Sequence, residues 1–484
     1  MKKLLLLVTA LSIAVRLYPT LLSGLPFSTD AWSPIRNTEL ILKHTPVRLD
    51  SGILDNYNCY WPANSIFGAS ISIITGMKPM DAMRIFIPFS GSMTVLIFYV
   101  LVKRISRSYS VACLSSAFLA TAYSYAFFTA GVTKETYANP IYMLSILFFL
   151  ENCFIGFLIS SLALVMAHHL TTAVTITVLA SITIADYVIR FKKGSMERSR
   201  IAFLLALVAI TLLYFQLYAK NGMKISVAPS DLLSVASYQV IFFFVALYLS
   251  EQKRTVPSVV APIFTFLIAL LWIKGDVVPG APKLPAHYLI YALPFVLISP
   301  LAFIGLKGKE VIFWLSATLG LEAYSVFSNP PIALAYRILN FVWPPLAAIS
   351  AMGSRDIKKV IKILAILIIA LNLYSIYAAV SLRERYMGYF WLYNQQEYLA
   401  ASWLSSSNLT VSCDVKASYL LSDYLNMRTD VFKYLRGKPE LFFLYGEMLR
   451  NGYVLYGGYI MDFDPKKLLD FSLIYSNGQV EIYG

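Results

Sequence analysis

Apolar residues run through most of this chain in continuous blocks, without the alternation that marks a half-buried strand or a one-sided helix. The blocks lie near 4–24, 84–102, 108–128, 137–151, 153–168, 170–189, 201–219, 231–250, 256–273, 285–305, 311–328, 338–353 and 360–380. A helix needs about 20 apolar residues to cross a bilayer, so the pattern predicts thirteen transmembrane helices. The pair at 137–151 and 153–168 is short: either both segments cross, or the pair re-enters from one side. After 380 the pattern changes. Gln396–Ser405 reads as an amphipathic helix, while Leu409–Val415 and Tyr453–Ile460 read as strands. In Leu473–Tyr483 two β-prone runs flank Asn477-Gly478, a hairpin signal. The expected architecture is a polytopic α-helical membrane protein of about 13 transmembrane helices, with a small extracytoplasmic α/β domain at the C-terminus. Its expected division is a membrane domain over 1–380, with an external loop at 25–83, and a tail domain over 381–484.

Composition agrees with that class. The 484 residues are 58% hydrophobic and 14% charged, more apolar surface than a soluble chain of this length can bury. The net charge of +14 raises the possibility of a nucleic-acid partner, but the position of the charges removes it. Basic residues cluster in alternate connections: Lys2/Lys3, Lys103/Arg104/Arg107, Arg190–Arg200, Lys253/Arg254, Lys307/Lys309 and Arg355–Lys362. By the positive-inside rule these connections are cytoplasmic. The N-terminus is then cytoplasmic, as an uncleaved first span, and the tail is external. Arg107 and Arg190 belong on the same side, so the number of crossings between them is even.

The remaining polar groups map to the external side: all four histidines, and Asp30, Glu39, Asp50, Asp55, Glu135 and Asp276. Chemistry, if this chain performs any, belongs there. Asp30 and Trp32 stand where the first span ends, with Ser33-Pro34 just beyond. One reading is an interfacial tryptophan beside the cap of a short helix. The other is a carboxylate held at headgroup level, able to take a proton from an acceptor hydroxyl or to hold a divalent cation. Gly131–Pro140 offers Lys134 as a phosphate contact and Glu135 as a second carboxylate, or simply a solvated ion pair. His168 and His169 stand where two apolar runs meet. Neighbouring helical positions point about 100° apart, so the two chelate one metal only at a helix break. Hydrogen bonding to a phosphate or sugar is the favoured reading, against a plain capped turn. Arg337 is either a snorkelling side chain or a fork-shaped donor for a lipid phosphate, with Lys274 and Arg84 at similar depth. Glu322 lies inside an apolar run and calls for a partner such as Arg337 or Arg16. Cys113 and Cys153 read as small hydrophobes, whereas Cys59 and Cys413 are the pair able to meet outside the membrane. Asn408-Leu409-Thr410 is a glycosylation sequon.

The layout resembles the GT-C superfamily of membrane glycosyltransferases. Thirteen spans, a large first external loop with an acid soon after the first span, a second loop with an acid and an external C-terminal domain are its outline. The phrases "STDAWSPIRNTELI", "GVTKETYANP", "MAHHLTTAV" and "AYRIL" look like those of archaeal members related to oligosaccharyltransferases and protein O-mannosyltransferases. The resemblance implies a polyprenyl-phosphate sugar donor drawn from the lipid, and an acceptor that is a protein, lipid or glycan. It implies Asp30 and Glu135 as the catalytic acids or as ligands of Mg or Mn, and Arg337 on the donor phosphate. It implies an anchoring role for Trp32. Two departures stand out: Asp30 has no adjacent acid, and the tail lacks the WWDYG sequence of oligosaccharyltransferases. A transporter or flippase of an anionic or lipid-linked solute, and a non-catalytic scaffold, are the competing readings. The first would want midplane charges and an internal repeat, and neither stands out.

Overall fold

The computed structural model describes residues 2–46, 52–54, 58–191, 199–222, 228–251, 257–274, 283–306, 308–328, 332–356, 360–388, 391–407, 409–431, 442–456, 459–464 and 471–484. Asp50, Asp55, Asp276 and Asn408 of the sequon lie outside them. The long helices are α1 (Lys2–Ser23), α2 (Trp32–Lys43), α3 (Ala63–Thr75), α4 (Pro79–Ser106), α5 (Tyr109–Thr121), α6 (Tyr123–Phe128), α7 (Lys134–Leu150), α8 (Phe154–Ala167) and α9 (His169–Phe191). There follow α10 (Ser199–Leu217), α11 (Pro229–Glu251), α12 (Pro257–Lys274), α13 (Leu289–Gly305), α14 (Lys309–Phe327), α15 (Ile332–Gly353), α16 (Val360–Val380) and α17 (Gln395–Leu404).

Each of the thirteen apolar runs is helical. Among the described residues, eight helices are long and apolar enough to cross a membrane: α1, α4, α9, α10, α11, α13, α14 and α16. The runs at 108–128, 137–151 and 153–168 give shorter helices for identifiable reasons. The run at 108–128 breaks at Ala122, which leaves the helical region (φ −49°, ψ 112°) and divides α5 from α6. The Asn372 side chain on α16 accepts the Tyr123 N–H that the break exposes, at 3.0 Å. α7 and α8 form a helical hairpin, with Cys153 N–H bonded to the Phe148 carbonyl at the turn. At about 1.5 Å per residue both fall short of the roughly 30 Å hydrocarbon core.

The chain forms two compact units. One comprises Met1–Arg16, Pro88–Thr129 and Lys134–Tyr377, and the other Leu17–Ile87, Ala130–Thr133 and Ala378–Gly484. The described elements of the first unit are all helices. α14 packs on α9, α11 and α15, and α13 on α12 and α15. Gly305 and Gly353 let the backbones of α13 and α15 touch: a Cβ on Gly305 would lie 2.6 Å from the Gly353 nitrogen. Buried tryptophans find polar partners, with Trp314 Nε1 on the Tyr142 hydroxyl and Trp343 Nε1 on Ser124 Oγ, each at 2.6 Å.

The second unit holds a five-stranded sheet in the order β2-β1-β3-β7-β6, formed by β1 (Val411–Ser412), β2 (Thr429–Asp430), β3 (Phe442–Tyr445), β6 (Leu473–Ser476) and β7 (Glu481–Tyr483). β1 is parallel to β2 and β3, while β3, β7 and β6 run antiparallel. The expected hairpin is β6–β7: Asn477 Oδ1 accepts the Val480 N–H, and Gly478 takes φ 85°. The segment expected as one strand at Tyr453–Ile460 is a separate antiparallel pair, β4 (Tyr453–Tyr456) and β5 (Tyr459–Asp462). α17 begins in a capping box, with Asn394 and Glu397 each accepting the other's N–H. Ala400, Ala401 and Leu404 of α17, Val411, Leu444 and Ile482 of the sheet, and Leu25 and Trp32 of the first loop share one core. The tail therefore does not form its core alone. Cys59 and Cys413 are not joined by a disulfide, and burial pushes the Cys413 thiol well above its ordinary pKa.

Candidate functional site

In the second unit, α1 ends on Gly24, whose φ of 70° places it in the left-handed region that helix C-caps favour. The Gly24 carbonyl receives the guanidinium of Arg84, which also pairs with Asp81 at 2.9 Å. Arg84 thus buttresses the base of the first loop. Four residues on, Ser28 adopts φ 92°, a conformation that costs a non-glycine residue of order 1–3 kcal/mol. It is held there by its N–H on the Trp391 carbonyl at 3.1 Å. Its hydroxyl accepts the Asp30 N–H at 3.2 Å, opening a single 3₁₀ turn, Thr29–Ala31, that carries Asp30. The neighbouring Phe27 carbonyl accepts the Val132 N–H at 2.9 Å. That bond ties the first loop to Ala130–Thr133, the stretch that immediately precedes Lys134 and Glu135.

Trp32 does not sit at a lipid interface. It is fully buried, edge-on to Tyr393 at 5.0 Å, stacked on Tyr398 at 6.2 Å and tilted against Tyr424 at 5.3 Å. An indole at the first position of α2 serves equally as a membrane anchor or a core residue. Three tyrosines from the tail decide for the core.

In the first unit, Lys134 and Glu135 open α7, and Glu135 is buried. His168 leaves the helical region (φ −161°, ψ 121°) between α8 and α9, and its Nδ1 accepts the Thr171 N–H at 3.4 Å and meets Thr171 Oγ1 at 2.7 Å. The capped turn is therefore real, and it uses Nδ1 alone. His169 starts α9, with its ring centroid 5.0 Å from that of His168. Lys134 and Arg337 both lie close enough to act electrostatically on the two histidines. Lys134 opens α7, His169 opens α9 with His168 just before it, and Arg337 stands in the second turn of α15; the first turns of α7 and α9 add positive helix-dipole potential. Lys274 is exposed at the end of α12.

Arg16 carries more weight than its sequence position suggested. It is fully buried, with Nε on Thr129 Oγ1 at 2.9 Å, Nη1 on Ser12 Oγ at 2.9 Å and on the Ala120 carbonyl at 3.2 Å, and its guanidinium 5.5 Å from the Tyr125 ring. These contacts put a cation at the C-terminal ends of both α5 and α6, which stabilises the exposed carbonyls of the break. Arg16 is therefore not the partner of Glu322. That carboxylate instead has Ser325 Oγ at 3.5 Å. An arginine inside a 20-residue apolar run was itself the available signal.

Among the described residues no three His, Cys, Asp or Glu side chains come together as a bound cation would require. Asp30 and Glu135 belong to different units.

Comparison with solved structures finds likeness to oligosaccharyltransferases of Archaeoglobus fulgidus. One is the Archaeoglobus fulgidus oligosaccharyltransferase in complex with zinc and sulfate, at 12% identity and a TM-score of 0.48, over 88% of this chain and 62% of that one. Another is the archaeal oligosaccharyltransferase AglB from Archaeoglobus fulgidus in complex with an inhibitory peptide and a dolichol-phosphate, at 12% identity and a TM-score of 0.49, over 88% of this chain and 64% of that one. This chain therefore spans less than two thirds of the length of either. No protein-family model and no curated protein sequence matches it.

Proposed function

We propose that this membrane protein is a glycosyltransferase that moves a sugar from a polyprenyl-phosphate donor to an acceptor on the external face, with the N-terminus cytoplasmic and the sheet-bearing tail external. The observation that supports this reading is that Lys134 at the start of α7 and Arg337 on α15 both act electrostatically on His168 and His169 at the start of α9, a helix packed against α7. Cationic and imidazole donors at helix starts suit a phosphate. A phosphate held within an apolar helical unit suits one attached to a lipid. Arg337 and Lys134 stabilise the charge that develops on the departing phosphate.

In the proposed reaction an acceptor hydroxyl attacks the anomeric carbon of the sugar. The bond from that carbon to the phosphate oxygen breaks, and polyprenyl phosphate leaves with the bonding pair. Asp30 takes the hydroxyl proton, and Glu135 orients the acceptor or shares the base role. Lys274 and Arg84 have supporting parts only, the latter by holding the Gly24 carbonyl.

The test is transfer of labelled sugar from a panel of polyprenyl-phosphate donors by the purified full chain in lipid nanodiscs, with and without Mg or Mn. Wild type should transfer. Asp30→Asn should lose roughly 10²-fold or more in kcat, the scale of a general base. Arg337→Met should raise the donor KM and lower kcat. A wild type inactive across the panel, or an Asp30→Asn variant as active as wild type, would refute this assignment.

A further inference from the structure

The residues on either side of Asp30 are held by the tail, alongside the Phe27–Val132 bond and the turn's own hydrogen bonds. Ser28, two residues before, gives its N–H to the Trp391 carbonyl, and Phe27 packs on the Trp391 ring at 6.1 Å. Trp32, two residues after, is boxed by Tyr393, Tyr398 and Tyr424. Tyr424 reaches further. Its ring lies against Trp32 at the start of α2, while its hydroxyl donates to Glu39 Oε1 at 2.9 Å, seven residues along the same helix. Positions i and i+7 share a helix face, so one side chain grips α2 at two points two turns apart. Arg36 adds a third tie, to Asn426 Oδ1 at 3.1 Å.

Apolar packing alone would hold α2 in place but would leave it free to rotate slightly about its axis. The hydroxyl-to-carboxylate bond is directional and fixes that rotation. Ser28 makes the need plain, because a residue at φ 92° relaxes unless its surroundings over-determine it. We propose that the tail is the positioning device of the Asp30 turn, and that Tyr424, acting through Glu39 and Trp32, is its principal positioning residue. This rests on the reading that Asp30 does chemistry, yet its structural half can be measured without any catalysis.

The experiment compares hydrogen–deuterium exchange of segment 24–32 in the full chain in nanodiscs for wild type, Tyr424→Phe and Glu39→Gln, alongside transfer kinetics. The reporters are the amides of Ser28, Asp30 and Ala31, each hydrogen-bonded within or to the turn. In Tyr424→Phe, exchange of this segment should rise about tenfold, the equilibrium worth of one hydrogen bond. The amides of β1, β3 and β7 should keep their protection. Glu39→Gln retains an oxygen that accepts from the phenol and should exchange like wild type. In transfer, Tyr424→Phe should lower kcat and leave the donor KM unchanged. Wild-type exchange of segment 24–32 in Tyr424→Phe would overturn the proposal. So would an equal rise across the β-ladder, which would mark Tyr424 as a stability residue alone. A wild type that transfers no sugar would sink the glycosyltransferase reading while leaving the exchange result to decide the positioning role.

Discussion

Lys416 Nζ lies 2.9 and 2.8 Å from the two carboxylate oxygens of Glu397, and both side chains are buried. Tyr393 closes over the pair, with its hydroxyl on the Lys416 carbonyl at 2.8 Å and its ring 5.0 Å from the ammonium. A second carboxylate, Glu447, stands 4.0 Å from the same ammonium and is shared with Arg383. Removing the lysine alone leaves a buried carboxylate uncompensated. Lys416→Met should cost about 3–5 kcal/mol in urea unfolding of the tail. Adding Glu397→Gln, which keeps the capping box, should restore part of that loss. A double variant no more stable than Lys416→Met would argue against an ion pair as the cause.

Asp414 caps the short helix Val415–Ser418 through the Ala417 N–H at 2.6 Å. Its burial raises the carboxyl to about 6, with the Ala417 N–H and the Lys416 charge pulling the other way. A carboxyl raised in the folded state binds its proton more tightly there than in the unfolded chain. Its contribution to stability is therefore complete below about pH 4 and is lost as pH rises through about 6. Asp414→Asn keeps a capping oxygen and does not titrate. Relative to wild type it should gain about 1–3 kcal/mol between pH 4 and 6 and hold that gain above. Melts at pH 4, 5, 6 and 7.5 check this, and a difference independent of pH contradicts it.

The contact of α13 with α15 depends on two missing side chains. A Cβ at Gly305 meets Gly353 nitrogen at 2.6 Å and the Ile349 carbonyl carbon at 2.7 Å, all backbone that cannot swing aside. Gly305→Val should cost about 1–3 kcal/mol or more, read as a lower midpoint of thermal aggregation in detergent. Gly308→Ala is the control, since its nearest neighbour is the flexible Met352 Sδ at 3.4 Å.

Arg16 caps the broken α5–α6 pair, so Arg16→Met should loosen residues 120–130 more than any other segment. The expected cost is about 2–4 kcal/mol, part lost charge-assisted bonds and part carbonyls left bare in an apolar surround. Arg16→Lys should recover a fraction, because an ammonium reaches fewer of the three acceptors at once. Protection of residues 120–130 against exchange measures it, and unchanged protection in Arg16→Met would be inconsistent with the cap.

The apolar runs, the Asn477-Gly478 hairpin and the helix at 395–404 were legible because each is written locally, in run length, turn chemistry or a capping box. The break at Ala122 was not, because neither glycine nor proline marks it and its compensation comes from Asn372 on another helix. Gly457-Gly458 was a turn signal between β4 and β5 that a reading as one strand passed over. The candidate basic residues were visible one at a time, but their gathering was not, since it depends on how α7, α9 and α15 pack. Trp32 shows the limit best. An indole after a membrane span reads as interfacial until its partners are known, and those partners lie in the tail.

Tyr424 and the Glu39 it grips are 385 positions apart. At 5–20 residues per second the ribosome needs roughly 20–80 s to make the second after the first. For most of that interval Ser28 has no Trp391 carbonyl to hold its strained backbone, and until its end the tyrosine box around Trp32 is incomplete. Membrane insertion of the helices thus begins long before the Asp30 turn can acquire its final shape. A chain truncated between Arg337 and Trp391 would carry Asp30, Lys134, His168, His169 and Arg337, yet lack Trp391 and the tyrosines that shape the turn.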